Sequence, residues 1–397
     1  MPSTCTKIQK EYEQIRTLKK EFDLEYQTTI ETKDLTKVKE LKRKLEQARE
    51  ALSNKLWVFE KLPQKELKEQ YEQDKESLIK AGILEKLSNN EMGTVGIDNE
   101  EYIYPKIEVI AKQMMMDKEQ LETKIEQGFI EVQITPVAQG LDKKIDVYRQ
   151  RLWEHYKEKK LFATMKDSKD TPTFPNDLPF KDDTIDKIKS GTMKYEDVWK
   201  EGGRYIENGD VYNDKNKAIW VWDKYKNADI DNNLVYYPKE FNQDPDIHKG
   251  KTKMELIEET KNTAFPGYIV ILRENLPNIP RTGKGEIMGN RKQLEAGKQP
   301  KEYLNTLQTD QQYKNEMGMT PDDQIIYAIQ HLEKTNQTID DWQGNGSLSY
   351  QLGAYFPAGG YVPYACWDRD DHQVSLGRSD PGSSGSGSGL RSSVRVI

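Results

Sequence analysis

Apolar residues recur every three or four positions through the first sixty residues. Ile8, Tyr12, Ile15, Leu18, Phe22, Tyr26 and Ile30 predict one helix with a single apolar stripe, with Lys and Glu on its other faces. Asp34 fits the N-cap of a second helix striped by Leu35, Val38, Leu41, Leu45, Ala48, Leu52, Leu56 and Phe59. Pro63 opens a third helix whose face holds Leu67, Tyr71, Leu78 and Leu84. These stripes predict a long antiparallel helical hairpin with a third helix packed on it. Two uses remain open: packing within one chain, or a coiled coil that makes a homo-oligomer.

A further helical pattern runs from about Pro105 to Gln127 and contains Met114, Met115 and Met116, read as core filler. Ile130 to Val137 alternates as a short strand, and Leu141 to about Phe162 returns to helix. The Pro-, Asp- and Lys-rich stretch 166–183 has the composition of a linker or surface loop. Beyond it the apolar runs shorten and become aromatic and β-branched: Ala218 to Trp222, Leu234 to Tyr237 and Tyr268 to Leu272. Thr320-Pro-Asp-Asp323 starts a helix that buries Ile325, Ile326, Ile329 and Leu332. The expected fold class is α+β: a helical module at 1–165, a linker or loop at 166–183, and a body of short strands, helices and irregular loops at 184–397.

Composition narrows the function classes. The 397 residues are 35% hydrophobic and 32% charged with a net charge of −7, so no basic excess is present to neutralise phosphates and nucleic acid is not expected as a partner. No run reaches the length of a membrane span and the start lacks the apolar core of a signal peptide. Cys5 and Cys366 form neither a disulfide framework nor a zinc spacing. The default expectation is a reducing, cytoplasmic location.

Candidate chemistry is sparse. Asp229, Asp231, Asn233 and Glu240 occupy calcium-loop positions, but Leu234 stands where the sharp turn needs glycine. Gly283, Gly285 and Gly289 hint at a phosphate loop without its Gly-Lys-Ser/Thr ending. His155, His248, His331 and His372 are scattered, and Cys366 lacks a neighbouring base other than His372. We expect no enzyme activity, no metal and no cofactor.

The last fifty residues carry the strongest signal. Tyr355-Phe-Pro357, Gly359-Gly360, Trp367, Gly389-Leu-Arg391 and the closing Val394-Arg-Val396 bracket a polar stretch and a Ser/Gly run from Ser379 to Gly389. Such a run suggests a linker, yet one amphipathic strand follows it, so that strand must pair with something earlier. These residues, together with Ile219 to Tyr225 and Thr335 to Asp341, resemble the variable proteins of diversity-generating retroelements. Their variable domain has a C-type-lectin fold of the formylglycine-generating-enzyme type. The resemblance implies a C-type-lectin-like domain at 184–397 whose segment at about 364–392 is diversified by adenine-directed miscopying. It implies a scaffold of Trp367, Leu376, Pro381, Gly389, Arg391, Val394 and Val396. It implies solvent-facing, ligand-binding variable positions at Tyr364, Cys366, Asp368, Asp370, Asp371, His372, Ser375, Gly377, Ser379, Ser383, Ser384, Ser386 and Ser388. Tyr361, Tyr364 and Trp367 would be aromatic anchors. The expected function is non-enzymatic, receptor-like binding of a ligand, expected to be a protein; the alternative is a structural or assembly protein that oligomerises through its N-terminal helices.

Overall fold

The computed structural model describes residues 17, 21, 39–47, 67–157, 162–164, 203–205, 215–342, 346–368, 371 and 373–396. In chain order these give helix α1 (Leu67–Ala81), strands β1 (Glu85–Lys86), β2 (Met92–Val95) and β3 (Glu101–Ile103), helices α2 (Ile107–Met116) and α3 (Lys118–Glu126), strand β4 (Phe129–Thr135) and helix α4 (Leu141–Lys157). There follow β5 (Ile219–Val221), α5 (Lys253–Lys261), β6 (Ile269–Glu274), α6 (Pro300–Thr309), β7 (Met317–Gly318) and α7 (Pro321–Thr335). The chain ends with β8 (Leu348–Tyr350), β9 (Val362–Asp368), β10 (Gln373–Ser379), β11 (Ser388–Leu390) and β12 (Ser392–Val396). The fold class is α+β. Most of the first two predicted helices lies outside the described residues; within them, 39–47 is helical and Leu41 and Leu45 are buried.

Two sheets organise the body. An antiparallel sheet has the order β7-β12-β6-β4, so the closing strand pairs with β6 on one side and β7 on the other. Every residue of β6 is buried, as a strand covered on both faces requires. Val270, Ile271 and Leu272 are wholly enclosed, worth about 1.5–3 kcal/mol each in removed apolar surface. The second sheet is mixed, with the order β11-β8-β9-β10-β5, and the two residues Asp341–Trp342 also lie along β9.

Helix α7 ties the sheets together, packing on α1, α4, β4 and β9. Thr320 caps it as the sequence predicts: its hydroxyl accepts from Asp323 N at 3.1 Å while the Asp323 carboxylate accepts from Thr320 N at 3.0 Å. Asn336, at φ 60°, ends it in the left-handed conformation that asparagine tolerates. Helix α4 borrows its first cap from a distant loop, since Asp229 Oδ2 accepts from Leu141 N at 2.8 Å.

Beside a smaller cluster around Tyr303, Tyr350 and Val362, the main hydrophobic core runs from Leu67 to Val396. The expected partition into 1–165 and 184–397 does not divide it, because β4 pairs with β6 and α4 packs on α7. Helical periodicity read locally gives no sign of such long-range pairing. Within the methionine run read as core filler, Met114 is core and Met115 is half-buried, but Met116 is exposed, because successive residues on a helix turn away from one another. The single predicted helix over 105–127 is two, broken at Asp117.

Buried charge is the feature that periodicity did not predict. Asp322 in the first turn of α7 accepts from Lys144 Nζ at 2.6 Å, Lys253 Nζ at 2.8 Å and the Tyr236 hydroxyl at 2.9 Å. Lys253 also lies 3.3 Å from Asp229, so two lysines and two aspartates close a neutral cluster within the core. A second cluster joins Arg291 to Glu316 at 2.7 Å and to Glu274 at 3.2 Å, with Lys124 on Glu316 at 2.6 Å. Ser392 at the start of β12 donates to the same Glu316 at 2.7 Å.

Candidate functional site

The β9–β10 ladder sorts the C-terminal residues by parity. Tyr364 stands opposite Gly377, Cys366 opposite Ser375 and Asp368 opposite Gln373, while Ala365 faces Leu376 and Trp367 faces Val374. Strand side chains alternate between faces, so Tyr364, Cys366, Asp368, Ser375, Gly377 and Ser379 share one face. The opposite face supplies Ala365, Trp367, Val374 and Leu376 to the core. The structure therefore brings six of the thirteen candidate positions together on one sheet face.

Their exposure is uneven. Tyr364, Asp368 and Ser379 are half-buried, and Asp371 is exposed. Cys366 and Ser375, expected to face solvent, are instead buried at 4% and 7% exposure, because small side chains in the middle of a sheet are covered by their neighbours. Gly377 is also buried, beneath the Tyr364 ring, which a side chain at 377 would strike. Asp370 and His372 lie outside the described residues. Trp367 cannot be an anchor, since only 1% of it is exposed and it faces the core.

The Ser/Gly run is a loop within the fold. Asp380 fastens its start, accepting from Gly382 N at 2.7 Å and Ser383 N at 3.0 Å. Gly387 O accepts from Leu348 N at 2.7 Å and Ser388 O from Gly297 N at 2.9 Å, so the run leads directly into β11. Gly387 lies against the Trp342 indole, where a side chain would come within 3.3 Å of Nε1. Ser383, Ser384 and Ser386 are exposed and Ser388 is half-buried.

Of the residues expected as scaffold, all but Pro381 are buried. Leu376, Val394 and Val396 are core, and Pro381 is half-buried with its carbonyl accepting from Lys301 N at 3.2 Å. A side chain at Gly389 would meet Ile279 Cγ2 at 2.7 Å. Arg391 donates to Asp340 at 2.6 Å and to the carbonyls of Leu276 and Pro277, and lies 5.1 Å over the Tyr327 ring.

The sequence named Tyr361 as an anchor but gave Trp220 and Arg378 no place in the site. Trp220 on β5 stands beside Ser375 and is 46% exposed. On the other face, Arg378 lies 3.8 Å over the Tyr361 ring and 4.9 Å over Trp222, which meets Tyr361 edge-on at 5.7 Å. The aromatic run Trp220 to Trp222 at the β5 strand was the available signal, but the parallel pairing of β5 with β10 was not legible.

Comparison with protein-family models, curated proteins and solved structures gives no match. The site's chemistry therefore rests on its own geometry. Burial pushes the Cys366 thiol well up, and Asp368, Asp340 and Asp341 reinforce this, so no thiolate nucleophile is available there. Burial likewise raises Tyr364 to about 12. Among the described residues no three His, Cys, Asp or Glu side chains are grouped to hold a metal. In the calcium-loop pattern Asp229 is committed to Leu141 N and Lys253 inside the core. The arrangement offers hydroxyls, one half-buried tyrosine and carboxylates, groups of the kind that make adaptable polar contacts.

Proposed function

We propose that this chain is a non-enzymatic ligand-binding protein that displays a diversified face on a C-type-lectin-like scaffold. The observation that carries this reading is the parity of β9 and β10. Six of the thirteen residues assigned to variation share one face, with the Ser383–Ser388 loop in the same segment, and Trp367 and Leu376 fall on the other. Supporting it, the closing strand is an inner strand of the antiparallel sheet, so changes before Gly389 leave that sheet's pairing intact. On the same face as Ser375, the exposed Trp220 supplies rigid contact area that the serine loop lacks. The preferred ligand is a protein surface.

The gene neighbourhood tests the reading. A reverse transcriptase nearby, with a near-copy of the coding sequence for about 364–392 that differs only at adenines, is the expected finding. Substitutions among relatives that fall equally on Trp367, Leu376 and Gly389 would defeat it.

A further inference from the structure

A cleft of about 620 Å³ opens between α1 and α7, floored by β4 and β6, within the size range of small-molecule sites. Arg273 and Glu131 stand opposite one another in register on that floor. Opposed charges on one sheet face usually pair. Here they do not. Arg273 is buried, donates from Nε to Gln133 at 3.0 Å and from Nη1 to the Glu274 carbonyl, and lies 3.7 Å over the Tyr327 ring. Glu131 accepts from Gln70 at 2.6 Å. Among the described residues, then, Arg273 lacks a carboxylate and Glu131 lacks a cation. Of the other charges lining the cleft, Lys80 meets Glu333 at 2.6 Å and Lys334 meets Asp74 at 2.5 Å, while Glu76 is exposed to solvent.

Two further groups lining the cleft await partners. Gln330 is 1% exposed, and neither its amide nitrogen nor its oxygen has a hydrogen-bond partner; the buried Tyr327 hydroxyl has none either. An unpaired buried guanidinium and an unsatisfied amide are both costly unless a ligand completes them. His331 shows the local field: burial, then Arg273, Arg391 and Lys334, hold it at about 3, so it stays neutral in the cleft.

We propose that this cleft binds a small zwitterion of the amino-acid or short-peptide class, with its acidic group on Arg273, its ammonium on Glu131, and Gln330 and Tyr327 as hydrogen-bond partners. The site shares no residue with the diversified face and does not depend on that reading. Arginine matches a carboxylate with two parallel donors, and neighbouring residues across a ladder bring opposite charges within the span of one small molecule.

The test is titration of the full chain with the standard L-amino acids and simple dipeptides, each beside its N-acetylated and C-amidated forms, read by melting temperature and calorimetry. At least one free zwitterion should raise the melting temperature saturably. Acetylation or amidation should each weaken binding roughly tenfold or more. Glu131→Gln should weaken the free zwitterion to a similar degree and leave the acetylated form unchanged. Gln330→Leu should weaken binding without lowering the melting temperature of the ligand-free chain. Arg273 lies in the central sheet and its loss endangers folding, so the half-buried Glu131 carries the decision. No saturable shift at millimolar concentration, or binding indifferent to both acetylation and Glu131→Gln, overturns the proposal.

Discussion

Asp322→Asn isolates what the buried ion cluster contributes. The substitution keeps the shape and leaves a carbonyl for the lysines, but it removes one of the two charges that balance Lys144 and Lys253. Breaking a buried pair by deleting one partner costs about 3–5 kcal/mol, because the remaining charge stays desolvated. The acid limb supplies a second reading. Burial would raise Asp322, but Lys144 and Lys253 hold it at about 2, against about 3.9 in an unfolded chain. A depressed carboxylate contributes stability that is complete above the unfolded value and lost as pH falls through the folded one. The wild type should therefore lose about 2 kcal/mol from this group between about pH 4 and pH 2, and Asp322→Asn should lack that component. The alkaline limb has the opposite sign. Burial pushes Lys144 down to about 8, and with Asp322 neutralised it falls further. Between the folded and unfolded values the unfolded state holds more protons, so stability rises with pH and the variant's deficit narrows above pH 7. Urea denaturation followed by tryptophan fluorescence at a series of pH values measures all three. A deficit below about 1 kcal/mol at pH 7 would refute the reasoning, since it would mean that the lysines are neutral or hydrated.

Gly377→Ala should cost about 1–3 kcal/mol by striking the Tyr364 ring; in a double-mutant cycle Tyr364→Ala should recover most of it, and additive penalties would show that the two do not touch. Placing Tyr or Arg at Ser383, Ser384 or Ser386 should change stability by less than about 0.5 kcal/mol, because those side chains reach solvent. Gly389→Ala, against Ile279, should cost several times more in the same denaturation assay; equal tolerance at 383 and 389 would contradict the division into surface and scaffold. Cys366 should resist alkylation at pH 8 in the folded chain and react once urea unfolds it, followed by peptide mass spectrometry; prompt native labelling would contradict its burial and raised pKa.

Local pattern made some of this fold legible. The Thr320 cap, the helices over 67–81, 107–126 and 141–157, and the strand at 129–135 announce themselves through capping chemistry and period. Tyr364, Cys366 and Asp368 are spaced by two, the interval that puts strand residues on a common face. What remained hidden depends on partners far away in sequence. Nothing around Asp322 distinguishes a buried hub from a helix-start acid, because Lys144 and Lys253 lie 178 and 69 residues from it. The burial of Cys366 and Ser375 follows from their mid-sheet position, and strand order is not written in either strand alone. The cleft beneath α1 escaped for the same reason: Glu131 and Arg273 become neighbours only through the β4–β6 ladder.

The position of these clusters bears on how a variable surface is sustained. On the proposed reading, a segment must accept many side chains without unfolding its host, so its own residues can contribute little to stability. The chain on either side of the Ser/Gly loop is held by contacts that do not involve the loop's side chains. Before it, Val374 and Leu376 anchor β10 in the core; after it, Arg391 grips Asp340, Ser392 reaches Glu316 and Arg395 meets Glu259 at 2.9 Å. Burial raises Asp340 to about 6 even with Arg391 beside it, so this clamp takes up a proton in mild acid. A raised carboxylate favours the folded state when protonated, so charging it above pH 6 costs stability that the Arg391 contact must offset. Arg391→Met removes that offset and leaves a buried carboxylate without its cation. The variant should then be most destabilised at neutral pH and recover partly toward pH 5, where Asp340 takes a proton. An Arg391→Met deficit that stays flat from pH 5 to pH 8 in urea denaturation would show that Asp340 is not charged by neutral pH, and the clamp would then be packing alone.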